Sequence, residues 1–198
     1  VLTTAMQLAQ VFSAYANEGP VFQPHYIKKI LDIDGKVIKE YQPELKFDIV
    51  KGINTNGVKI AKENLDTLRD GLFEVVNGPH GTARGHKVPG VNVAGKTGTV
   101  QLFTLSADQV FANCKARPLK QRHHGWFISY APVENPEIVV AVLAEHSCSG
   151  AGGAAPVAAD IIKGYMQKYH PDYLQKAKNN PAPAVKAPTK EEEDGTAD

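Results

Sequence analysis

The run Val91-Asn92-Val93-Ala94-Gly95-Lys96-Thr97-Gly98-Thr99-Val100-Gln101 constrains this chain more than any other stretch. Valines alternate at 91 and 93 and Val100 resumes the apolar pattern, which is the period of a strand half buried against a core. Lys96, Thr97 and Thr99 place an ammonium and two hydroxyls on that strand, and Gly98 has no side chain to obstruct what approaches. A glycine inside a strand often marks the close approach of a ligand or another backbone. The chain must therefore build a sheet around this strand while leaving its polar edge reachable.

Gly90 to Thr97 also satisfies G-x-x-x-x-G-K-[ST], the pattern of a phosphate-binding P-loop. That loop needs a buried strand before its first Gly and a helix opening at the Lys-Thr, so that helical N–H groups face the phosphates. Here Gly90 follows Gly85-His86-Lys87-Val88-Pro89, and Thr97 is followed by Gly98-Thr99-Val100, a poor helix opening. The context favours a strand.

With 198 residues, 42% of them hydrophobic, there is enough chain for one domain with a core. A net charge of +1 supplies no field to recruit nucleic acid or an anionic membrane. No apolar run approaches the length of a membrane span and no signal peptide is present, and the first residue is Val1 rather than Met. Cys114 and Cys148 are the only cysteines. Two unpaired thiols is the plainer reading; a bridge requires their Cα atoms within about 7 Å. His123, His124, His146 and the cysteines are residue types that zinc accepts, but their spacing matches no metal signature.

Thr3 and Thr4 offer an N-cap to a helix whose apolar face is Met6, Leu8, Val11, Phe12 and Tyr15, stopped at Gly19-Pro20. From His25 to Tyr41, β-rich runs flank Asp34-Gly35, a hairpin signal, and this hairpin is expected outside the main sheet. Phe47 to Gly57 reads as a connector. A second helix spans Ala61 to Asn77, with Leu65, Leu68, Leu72, Phe73, Val75 and Val76 inward. Leu102 to Gln121 is an irregular loop carrying Lys115, Arg117 and Lys120, with Arg122 just beyond; it reads as a solvated basic loop, the sharper option being a glycan or protein contact. Trp126 to Tyr130 and Ile138 to Ala144 are strands joined by turn formers, so three strands in antiparallel pairing are expected. Ser147 to Gly153 is a small-residue loop before a final helix, Ala154 to Tyr169, which presents Val157, Ile161, Ile162 and Tyr165 to the sheet. The Pro-, Lys- and Glu-rich tail, 176–198, reads as disordered.

These pieces, in this order, resemble the C-terminal part of a class B penicillin-binding protein, nearest to the penicillin-binding protein 2-like transpeptidases. The resemblance rests on Leu2-Thr3-Thr4-Ala5-Met6-Gln7-Leu8-Ala9, Gly81-Thr82-Ala83, Val93 to Thr99 and Gln101-Leu102-Phe103. It continues through Gly125-Trp126-Phe127-Ile128-Ser129-Tyr130-Ala131-Pro132 and Gly153-Ala154-Ala155-Pro156-Val157-Ala158. Lys-Thr-Gly is the third signature of such serine acyl-enzymes. The resemblance implies an α+β fold, part of a serine β-lactamase/transpeptidase domain over 1–170, with an antiparallel sheet flanked by helices. It further implies an acyl transfer that cross-links peptidoglycan stem peptides and captures β-lactam antibiotics covalently. Lys96, Thr97, Gly98 and Thr99 are the implied catalytic residues, with Lys96, Thr97 and Thr99 binding substrate, and neither cofactor nor metal is implied. A parent protein anchored at the periplasmic face of the inner membrane, working with cell-wall elongation proteins, is also implied.

The resemblance exposes an absence. The family nucleophile lies in Ser-x-x-Lys, which occurs nowhere in these residues. Ser106-Ala107-Asp108 matches the family's Ser-x-Asp relay by letters, but it follows the Lys-Thr-Gly strand, the wrong order. Tyr15-Ala16-Asn17, a short motif of some β-lactamases, has no nucleophile ahead of it. The expectation is one wall of an active site, inactive alone. A β-lactamase-type hydrolase fragment and a non-catalytic ligand-binding half-domain are the alternatives.

Overall fold

A computed structural model describes residues 2–102 and 113–172. Helix α1 (Ala5–Ala16) opens on a capping box: the Thr4 hydroxyl accepts from the Gln7 N–H, and the Gln7 side chain accepts from the Thr4 N–H. The reciprocal pair satisfies two of the donors that a helix start leaves open. Gly19, at φ 132°, turns the chain into β1 (Pro20–Phe22), which pairs antiparallel with β4 (Leu45–Asp48). The start of the expected connector, Phe47 and Asp48, is therefore paired backbone. Buried Asp48 holds the turn that follows by accepting from the Val50 and Lys51 N–H groups. Strands β2 (Lys29–Leu31) and β3 (Val37–Glu40) form the expected hairpin, apart from the main sheet. Its turn is organised by Asp32, whose carboxylate accepts from the Asp34 and Lys36 N–H groups, with Gly35 at φ 82°.

Helix α2 (Lys62–Asn77) leads to the main sheet, β5 (Ala94–Val100), β6 (His124–Ala131) and β7 (Ile138–Ala144), in that order and antiparallel throughout. The strand expected from Val91 begins at Ala94; Val91 instead bridges back to Val88 in the lead-in turn. Helix α3 (Ala155–Tyr169) covers one face, with Ala155, Ala158, Ile162 and Met166 against Phe127, Ala131 and Val140. On the opposite face Phe12 and Ala16 of α1 meet Ala94, Ile128 and Tyr130. The two sides of α2 enter different clusters, Leu72 with α1 and Val76 with α3.

The inward faces are narrower than the apolar residues suggest. Val157 and Ile161 of α3 are 46% and 45% exposed, and Met6, Val11 and Leu68 are likewise on the surface. The face of α3 that lies on the sheet is led by alanines at i, i+3 spacing, because small side chains let a helix approach a sheet closely. Ile162 lies inward as expected, with Met166, and Tyr165 packs partly buried beside them; only Val157 and Ile161 give way to the alanines. The proposed tail, 176–198, and Ser106-Ala107-Asp108 lie outside the described residues.

Candidate active site

Lys96 lies in the middle of β5, paired with Ile128, and not at the opening of a helix. That placement removes the P-loop reading. No strand pairs with the other edge of β5 among the described residues, so the Lys-Thr-Gly segment lies on an edge strand. Lys96 and Thr99 are exposed, Thr97 and Gly98 partly so. The Lys96 ammonium donates to the Thr97 carbonyl at 2.9 Å. Since residues two apart direct their backbone groups to the same edge of a strand, the Thr99 N–H lies on the edge to which that carbonyl belongs. Lysine, threonine hydroxyls and a backbone donor are thus offered from one strand.

The neighbouring loop meets this strand. The Thr82 hydroxyl, between α2 and β5, lies 2.9 Å from the Thr97 hydroxyl. The end of α2 is tied to the approach of β5 by Asn77, whose amide donates to the Val93 carbonyl. Beside Thr82 a cleft of about 340 Å³ opens between α2 and the 79–82 loop, with Glu74 and His80 on its walls. The sequence marks Gly81-Thr82-Ala83 only as part of a resemblance; the contact with Thr97 spans 15 residues and has no local signal.

The loop after β7 packs against the β5–β6 backbone. A Cβ on Gly150 would lie 2.1 Å from the Trp126 carbonyl oxygen and 2.6 Å from that of Gly98. A π-helical turn, Gly150–Ala154, begins there, and the Ser149 hydroxyl accepts from the Gly152 N–H. Reading this stretch only as a small-residue loop misses what its glycine does, which is to let a turn lie directly on the working strand.

Cys114 and Cys148 are joined in a disulfide with Cα atoms 5.8 Å apart, which corrects the reading of two unpaired thiols. Neither sulfur is therefore a metal-ligand thiolate. The physical reason is tertiary: β6 and β7 are adjacent and antiparallel, so the loop entering β6 and the loop leaving β7 lie at the same end of the sheet. The Cys148 N–H donates to the His123 carbonyl at 2.9 Å, bringing the two loops together beside the bridge. His146 joins them further, donating its N–H to His124 Nδ1, while the Arg122 guanidinium donates to the carbonyls of Lys115 and Arg117. Arg122 thus holds its own loop through backbone carbonyls. Replacing both cysteines by serine is expected to lower stability by about 2–4 kcal/mol, because an open loop regains chain entropy in the unfolded state. Thermal unfolding of the oxidised protein against the double variant measures it, and coincident midpoints would contradict it.

Residues 1–163 match the family described as the penicillin binding protein transpeptidase domain. The chain is 32% identical over 170 residues to the peptidoglycan D,D-transpeptidase MrdA of Haemophilus influenzae, taking in 85% of this chain and 24% of that protein. Among solved structures, penicillin-binding protein 2B of Streptococcus pneumoniae is 30% identical with a TM-score of 0.62, covering 85% of this chain and 25% of that one. Pseudomonas aeruginosa PBP2, solved in complex with WCK 5153, is 31% identical with a TM-score of 0.58, over 85% of this chain and 31% of that one. The chain thus spans about a quarter of the length of the curated relative cited. A polar Lys-Thr-Gly edge strand in an antiparallel sheet flanked by helices, matched along most of its length, places this chain in the penicillin-binding protein transpeptidase family.

Proposed function

We propose that this chain forms the Lys-Thr-Gly wall of a peptidoglycan D,D-transpeptidase whose nucleophile lies outside these residues. The observation that carries the reading is the edge strand, Lys96 to Thr99, exposed at Lys96 and Thr99 and unpaired on its outer side among the described residues. Residues 1–170 belong to the transpeptidase domain in this reading. The absence of Ser-x-x-Lys supports placing the chain beyond the nucleophile motif.

The reaction is acyl transfer. A serine from elsewhere in the protein attacks the D-Ala-D-Ala bond of a stem peptide, and an amine of a neighbouring stem resolves the acyl-enzyme. Lys96 gives the terminal carboxylate of the substrate a cationic partner in place of the Thr97 carbonyl it now meets. The Thr97 and Thr99 hydroxyls donate charge-assisted hydrogen bonds to the same carboxylate. The Thr99 N–H supplies one donor of the oxyanion hole, where one such donor is worth about 3 kcal/mol of barrier. Gly98 lets the substrate backbone lie along the edge. β-Lactams enter the same site as acylating substrates. The parent works at the periplasmic face of the inner membrane, anchored by a segment outside these residues and assisted by cell-wall elongation proteins.

Fluorescent penicillin tests the reading. The full-length protein is expected to retain a covalent label after denaturing electrophoresis, and the 198-residue chain alone to retain none. An unlabelled full-length protein would refute the activity, and a labelled isolated chain would refute the placement of the nucleophile.

A further inference from the structure

The Thr82 hydroxyl has no evident use in folding. The residue is exposed, and an exposed hydroxyl gains little by exchanging water for another hydroxyl. Its backbone, however, is clamped on both sides. A Cβ on Gly81 would lie 2.4 Å from the carbonyl oxygens of both Glu74 and Val75, so the loop lies directly on the last turns of α2. On the other side, the Ala83 N–H donates to the Val75 carbonyl at 2.9 Å and the Ala83 side chain is fully buried. Between these anchors the Thr82 hydroxyl is held 2.9 Å from that of Thr97.

A hydroxyl has one proton and two lone pairs. When Thr97 donates its proton to an anion at the edge of β5, its oxygen remains an acceptor, and Thr82 is the donor within reach. We propose that Thr82 is a positioning residue for carboxylate recognition, completing a relay in which the Thr82 O–H donates to Thr97 Oγ1 and the Thr97 O–H donates to the carboxylate of the acyl donor. Each bond in such a chain polarises the next, so the outer one strengthens. The Thr82 contact also fixes which way the Thr97 proton points before a ligand arrives, which lowers the ordering cost at binding. The inference rests on the transpeptidase reading and names a residue that the Lys-Thr-Gly motif does not contain.

The test uses the full-length protein and two labelled β-lactams that differ only in the carboxylate, one the free acid and one its methyl ester. Thr82→Val is expected to slow acylation by the free acid about tenfold, and Thr82→Ser to restore it to near the parent rate. With the ester, Thr82→Val should match the parent protein, because the anion at the end of the relay is gone. For the acid, Thr82→Val/Thr97→Val should be no slower than Thr97→Val alone. Thermal midpoints of all variants accompany the rates. Equal losses on acid and ester would make Thr82 merely structural, and no loss on the acid would remove the relay; either overturns the inference while leaving the transpeptidase reading intact. A parent protein acylated by neither probe overturns both.

Discussion

Lys96→Ala in the full-length protein is expected to slow acylation by a labelled β-lactam on the order of 100-fold, the scale of a lost hydrogen bond to a charged group, while its thermal midpoint stays at the parent value. The side chain is exposed on an edge strand and, among the described residues, donates to the neighbouring Thr97 carbonyl, so folding loses little with it. A surface change of that kind falls within about 0.5 kcal/mol of neutral. The ligand carboxylate, by contrast, loses its cationic partner in both the ground state and the transition state. Thr99→Ala is milder because its backbone donor remains, and Thr97→Ser is nearly silent because only a methyl is lost. The measurement is the second-order acylation rate of each variant beside its unfolding midpoint. An unchanged rate for Lys96→Ala would take the Lys-Thr-Gly strand out of the mechanism.

Gly150→Ala should produce the largest structural effect of any single methyl group added near the site. The new Cβ would meet the Trp126 carbonyl oxygen at 2.1 Å and the Gly98 oxygen and nitrogen at 2.6 and 2.9 Å. All three are backbone atoms of paired strands, since Gly98 and Trp126 face each other across β5 and β6. No side-chain rotation relieves such a clash; either the π-helical turn lifts away or β5 shifts. Overpacking of this kind costs about 1–3 kcal/mol, and a shift of β5 moves the Thr99 N–H with it. The variant is therefore expected to unfold several degrees lower and to acylate more slowly, with weakened amide protection in β5. Gly164→Ala is the control: nothing lies within 4 Å of its Cβ, and an alanine within α3 stabilises by about 0.5–1 kcal/mol. Equal midpoints for the two variants would show that the turn does not bear on the strand.

Much of this molecule is written in local patterns. The alternation around Lys96, the turn formers between β6 and β7, the Thr4 cap and the Asp-Gly hairpin each depend on residues within a few positions of one another. Periods of 2 and 3.6, together with backbone-specific residues, identify such elements without any partner. Four neighbouring residues, Lys96 to Thr99, are legible for the same reason: they are contiguous in one strand, with Thr97 and Thr99 on one face and Lys96 on the other.

What the amino-acid order determined by itself was therefore the three long helices, the hairpin, the antiparallel succession of the main sheet and the Lys-Thr-Gly strand. Tertiary structure alone decided the rest. The β1–β4 pairing joins short strands whose composition gives no period to count. The face of α3 was settled by how closely it approaches the sheet, which favours Ala155 and Ala158 over Val157 and Ile161. Cys114 and Cys148, 34 positions apart, met because adjacent antiparallel strands bring their outer loops to one end of the sheet. Thr82 met Thr97 because the last turns of α2 hold the loop against β5. Each is a contact between segments whose meeting depends on the packing of everything between them, and no local rule of spacing encodes a distance that only the assembled core imposes.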